Sequence, residues 1–230
     1  MDFPAFFADA PTITLHDPLA RFLGASATGM ITYAYGDAVK LAGHSCPTVA
    51  GAYLMIRKGL ACLYGADLPE RGAVEVHLRD SRDEGTTGVI ASVATLITGA
   101  APETGFGGIG ASGRFTRRGL LRFDAPIAGL MVLRRRDTGE SVELDLDAAV
   151  VPPHPAIGPL FSKAVAGQAS DAEQARFAGL WQDRVARMLL ENADNGQLVL
   201  LLREGPWPAD ALAEASGESL SAGDSSGWIR

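Results

Sequence analysis

The hydrophobic pattern changes period several times along the chain, and each change marks an element. From Pro47 to Tyr64 the period is helical: Ala50, Leu54 and Ala61 share one side, with Tyr53, Leu60 and Tyr64 nearby, and Arg57 and Lys58 mark a wetter side. Pro47 suits the first helical position, where no N–H is needed, and Gly65 is placed to close the helix. Thr48, Ala50, Gly51 and Ala52 keep the first turns slim, so something can approach their backbone closely. Thr86 to Thr98 reads as a second helix with Val89, Ile90, Val93, Leu96 and Ile97; it is almost free of charge, which places it in the core or at a subunit interface. Ser170 with Glu173 forms a capping box, and the helix behind it carries Phe177, Leu180, Trp181, Val185, Met188 and Leu189 on one face. Shorter helices are predicted from Asp17-Pro18 to Leu23 and from Asp37 to Ala42.

Alternation gives the strands. Over 73–79, Val74, Val76 and Leu78 point one way and Glu75, His77 and Arg79 the other, which puts His77 on an outer, solvated or hydrogen-bonded face. Further strands are expected at 30–35, 120–124, 129–135, 141–147 and 197–203, with a hairpin at Asp137-Thr138-Gly139. Between the second helix and these strands, residues 99–119 carry seven glycines, a composition that needs unusual backbone angles or the close approach of a ligand. The Val-Pro-Pro-His-Pro stretch at 151–155 is a rigid connector. The expected class is α+β: a mixed or antiparallel sheet packed with helices, and a C-terminal helical elaboration. Residues 1–15 form an arm whose Phe3, Phe6 and Phe7 pack back on the body or on a partner subunit, 16–204 form the domain, and 205–230 form a flexible tail.

Composition narrows the function. With 230 residues, 47% hydrophobic and 20% charged, the chain buries a sizeable core and is not disordered as a whole. A net charge of -7 gives no support to a general nucleic-acid binder. No apolar run reaches the roughly 18 residues of a membrane span, and the first residues carry acids where a signal peptide carries Lys or Arg, so a cytoplasmic protein is expected. The two cysteines, Cys46 and Cys62, are expected to be free thiols; they make neither a disulfide framework nor a four-Cys zinc finger.

Most of the candidate chemistry lies in Gly43-His44-Ser45-Cys46-Pro47. A turn between an imidazole and a thiol two residues apart lets both face one point, and the free N–H groups of a helix start favour a thiolate. Sulfur and imidazole nitrogen are the usual ligands of zinc and related metals. A Cys–Pro pair also occurs where a thiolate ligates haem iron, a reading ranked below a metal ion. Cys62 lies about four turns down the same helix, too far to pair with Cys46. The bland alternative is a small buried thiol beside a packed histidine. The glycine-rich stretch lacks the Lys-Ser/Thr of a P-loop; it is either a sharply turning loop or a backbone cradle for a phosphate or organic cofactor. Arg114, Arg117 and Arg118 behind it either hold an anionic substrate or form a solvated strand edge.

His44-Ser-Cys-Pro47 followed by a small-residue helix resembles the Gly-His-x-Cys-Pro signature of FmdE-like proteins, a family named for a component of formylmethanofuran dehydrogenase. Gly85-Thr-Thr-Gly-Val-Ile at a helix start, then Thr98-Gly99 and the glycine-rich turn into Gly113-Arg-Phe, resembles a second block of that family, and the likeness covers about residues 15–135. The resemblance implies an α+β core, a homodimer, and a divalent metal, often zinc, held by His44 and Cys46. Thr48 stands where the family commonly has Gly and Ala100 where it often has a second Cys; the Gly-Lys-Gly segment and the cysteine-rich zinc finger of many relatives have no counterpart. Further ligand candidates are His16, Asp17, Asp37, His77 and His154, or a residue of a second subunit. The implied activity is Lewis-acid chemistry on a small carbonyl or one-carbon substrate, with Tyr33, Tyr35 or Tyr53 as proton source; a non-enzymatic metal carrier or sensor is the alternative.

Overall fold

The structure is a computed structural model and describes residues 2–207. A mixed five-stranded sheet and a separate antiparallel pair carry the helices, an α+β architecture as expected. The pair joins β1 (Ile13–His16) to β2 (Met30–Tyr33). Between them α1 (Pro18–Phe22) begins at Asp17, whose carboxylate accepts the N–H groups of Leu19 and Ala20, with Pro18 at the first position. Next come α2 (Tyr35–Ala42), α3 (Pro47–Tyr64), β3 (Val74–Leu78) and α4 (Thr87–Thr98). Beyond the glycine-rich loop lie β4 (Leu121–Arg122), β5 (Met131–Arg135), β6 (Glu140–Leu146), α5 (Ile157–Val165), α6 (Asp171–Ala186) and β7 (Val199–Pro206). The helix α6 runs on into a wide turn over Arg187–Glu191.

The sheet order is β4-β3-β5-β6-β7, and only the β3–β4 pairing is parallel. One face is apolar: Val76 and Leu78 stand beside Leu133 and Met131, which stand beside Val142 and Leu144. Helix α3 lies across this face and comes close because it is slim. A Cβ on Gly59 would sit 2.5 Å from Leu133 Cδ1, and one on Gly51 would overlap Leu146. What approaches the small residues of α3 is therefore the sheet. Ile90, Val93, Ala94 and Ile97 of α4 are buried, while Gly88 and Ser92 on its other side are exposed.

Phe7 packs on Tyr35 with ring centroids 4.9 Å apart, and Tyr53 Oη meets the carbonyls of Pro11 at 2.7 Å and Tyr33 at 2.9 Å. The arm thus folds onto its own body, and its last residues enter β1. One core runs from Phe7 and Leu15 to Leu198 and Val199.

Two expectations need correction, and one element was missed. His77 is 1% exposed, not solvated, because the sheet's second face is covered as well: its neighbour Val132 is buried with Ala125, Ile127 and Trp207. Helix α5 was not legible in the sequence, since Gly158 and Pro159 interrupt its pattern. Residues 205 and 206 belong to β7 and Trp207 is buried, while 208–230 of the expected tail lie outside the described residues. No helix among the described residues is long and apolar enough to cross a membrane.

Candidate functional site

The turn that carries the sequence motif is fixed from both ends. Helix α2 stops at Gly43, which takes a left-handed conformation at φ +74°, where a side chain is strained. Cys46 is extended and caps α3: its Sγ accepts the Val49 N–H at 3.5 Å, and Pro47 follows at the first helical position. The C-terminal elaboration holds the middle. Ser45 Oγ donates to Gln182 Oε1 at 2.9 Å, and the Ser45 carbonyl accepts from Gln182 Nε2 and Trp181 Nε1, both at 3.1 Å. Because the Ser45 proton goes to Gln182, Tyr35 is the donor in the 3.0 Å contact between Tyr35 Oη and Ser45 Oγ. Burial pushes the Tyr35 hydroxyl up from its ordinary value, with the Ser45 bond pulling back, so it remains protonated.

His44 is exposed, and its Nδ1 lies 2.9 Å from the Ala42 carbonyl. A carbonyl only accepts, so Nδ1 carries the hydrogen and Nε2 of the neutral ring keeps its lone pair. That is the arrangement by which a carbonyl orients a metal-ligating histidine. Cys46, two residues on, is buried at the edge of the core. Beside the turn is a cleft of about 310 Å³ between the start of α3 (Pro47, Thr48) and the start of α4 (Gly85, Thr86, Thr87), with Asp80 and Glu84 on its wall. The two sequence blocks therefore meet in space.

The other ligand candidates do not join them. His16 packs on Gly29, whose absent Cβ leaves room for the ring. Asp17 accepts from α1, Arg71 at 3.0 Å and Arg117 at 2.9 Å. Burial alone would raise the Asp17 carboxyl; the Ala20 N–H and the two guanidiniums outweigh it and hold it below the ordinary value. Asp37 accepts from Ala34 N and Lys40, each at 3.0 Å, and His154 Nδ1 accepts the Ala156 N–H at 3.1 Å. His77 lies on the far face of the sheet from α3. Among the described residues no group of three or more His, Cys, Asp and Glu side chains is placed to hold a metal ion. Cys46 and His44 suit zinc by donor type but supply two ligands, short of the four of a closed site. Tyr53 is occupied in tying down the arm; Tyr33, under Arg71, is raised by burial.

Trp181 and Gln182 were missed as site residues. Trp181 was legible as part of an apolar stripe, but nothing in the sequence ties Gln182 to a turn 137 positions away. The glycine-rich stretch turns sharply: Ile109 and Arg114 exchange backbone hydrogen bonds at 2.8 and 3.0 Å, and Gly108, Gly110, Gly113 and Gly119 all have positive φ. Compared with family models and with curated proteins, the chain matches none.

Proposed function

We propose that the chain is an FmdE-like metal-binding protein in which Cys46 and His44 hold a divalent metal ion, zinc first, and that it acts as a cytoplasmic homodimer. The supporting observation is the Gly43–Pro47 turn, where the carbonyl of Ala42 leaves His44 Nε2 as the free acceptor two residues from the sulfur that caps α3. The remaining coordination positions fall to water, substrate or a second copy of the chain. A bound divalent metal supplies Lewis-acid polarisation of a small carbonyl or one-carbon substrate. The chain's own part is positional: Gln182 and Trp181 clamp the turn, the cleft beside Pro47 gives a small substrate a place, and Tyr35 keeps a proton 3.0 Å from Ser45 Oγ.

The exposure of His44 supports a second reading, a carrier or sensor that exchanges its metal with solvent. Elemental analysis after zinc loading and gel filtration tests the site. Cys46→Ser and His44→Ala should each lose most of the metal, and Cys62→Ser should keep it, because burial raises the Cys62 thiol and keeps it neutral. Full stoichiometry in Cys46→Ser would move the site elsewhere. Rapid loss of zinc to a weak chelator would favour the carrier over the enzyme.

A further inference from the structure

The glycine-rich loop folds back and delivers Arg114 to Arg117 to a cavity far along the chain from the cysteine turn. The N–H groups of Arg117 and Arg118 both reach the Phe106 carbonyl, which closes the loop. The cavity has a volume of about 340 Å³ and lies between Arg114, Phe115 and Arg117 of the loop, Pro18, Glu70 to Gly72, and Arg136.

Arg117 is the unusual member. Its side chain is 7% exposed, its Nη2 donates to Asp17 Oδ1 at 2.9 Å, and its Nε is buried with no partner among the described residues. A buried donor left unpaired costs free energy, so its persistence in a cavity wall calls for an acceptor. Asp17 does not meet that need, since its two oxygens also take Leu19 N, Ala20 N and Arg71 Nη1. Arg71 is itself fixed, with Nε and Nη2 donating to the α4 carbonyls of Thr95, Leu96 and Ile97. The backbone is shaped around these groups: Gly72 has φ +93°, and a Cβ there would overlap the Arg117 guanidinium. Among the described residues, Arg71, Arg114, Arg117 and Arg136 face Asp17 and Glu70 as counter-charges, which leaves two positive charges in excess.

We propose that this cavity binds the phosphate monoester of a small organic molecule. A phosphate monoester carries about -1.5 to -2 charge at neutral pH and three acceptor oxygens, which match the excess charge and the planar forks of the arginines. Phe115 and Pro18 offer an apolar wall to its organic part. The cavity shares no lining residue with the cysteine turn, so its ligand does not depend on the metal.

Titration of the full-length protein with phenyl phosphate, by calorimetry at low salt, tests it. Saturable binding is expected, weakened about tenfold or more by Arg114→Ala and by Arg136→Ala, both exposed side chains whose loss leaves the core intact. Arg118→Ala, exposed and outside the cavity lining, should bind as the wild type does. Arg117→Lys, which keeps the charge and loses the fork, should also bind more weakly; if it does not fold, the two exposed variants decide. Benzoate, with the same ring and one charge, should bind far more weakly. Affinity for phenyl phosphate should fall as pH drops through about 6, where the ester takes its second proton. No saturable binding up to about 10 mM by the folded protein overturns the proposal. So does unchanged affinity in the Arg114→Ala, Arg136→Ala double variant, or equal binding of benzoate.

Discussion

Glu75 shows how a polar face of the sheet is accommodated in the interior. It stands on β3 opposite Arg134 of β5, with Arg134 Nη1 at 3.0 Å from its Oε2. His77 Nε2 lies 3.5 Å from the same oxygen, and among the described residues neither ring nitrogen of His77 has a well-formed hydrogen bond. His77 beside it and Arg134 together outweigh burial and pull the Glu75 carboxyl from 4.5 down to about 2. A carboxyl depressed in the folded state stabilises the fold fully above its unfolded value of about 4.5, and that contribution is lost as pH falls toward 2. Glu75→Gln should therefore be less stable than the wild type at pH 7 and should lose less stability between pH 5 and about 2. Urea midpoints across that range check this; equal losses in the two proteins would remove Glu75 as the cause. The residues chosen as metal candidates divide in the same way: Asp17 and Asp37 have cationic partners, His154 spends its Nδ1 lone pair on the Ala156 N–H, and His44 keeps its Nε2 lone pair at an exposed turn.

At the scale of the element, α3 and α6 use glycine for opposite reasons. Replacing a mid-helix glycine by alanine ordinarily gains up to about 1 kcal/mol. At Gly59 the new methyl would meet Leu133 and Leu144, both fully buried, and overpacking of this kind costs about 1–3 kcal/mol. Gly59→Ala should therefore destabilise the protein. Gly51→Ala should do so less, because half-buried Leu146 has room to turn. Gly179 on α6 has nothing among the described residues within 4 Å of its Cβ position, so Gly179→Ala should stabilise by about 0.5–1 kcal/mol. Chemical denaturation of the three variants measures the ranking, and a stabilised Gly59→Ala would show that α3 does not press on the sheet. The longer helices were legible: Pro47, Gly65 and the Ser170–Glu173 box mark real ends. The first strand, Ile13–His16, lay inside the stretch read as an arm.

For the whole molecule, the proposed homodimer needs apolar surface to bury, and the outer side of α4 has it. A groove of about 660 Å³ runs there, lined by Leu41, Ala91, Leu96, Pro102, Leu121 and Phe123. A stable pair should bury more than about 1,000 Å² in total. Light scattering at micromolar concentration should give twice the chain mass of 24.0 kDa. A monomer mass would count against the dimer and leave the groove to a small ligand.

The sequence by itself determined the α+β class, the span of α3 and α4, the β5–β6 hairpin and the place of Cys46 just before a helix start, because each rests on local periodicity or on a residue beside its own helix end. It also placed the two motif blocks without showing that they meet. Only the tertiary structure decided that Gln182 and Trp181 clamp the turn, that Asp17 joins Arg71 and Arg117, and that His77 is buried. Those contacts link residues 54 to 137 positions apart, or depend on what covers the second face of a sheet. Periodicity marks which residues share a face, while the partner of that face is set by packing of the whole chain.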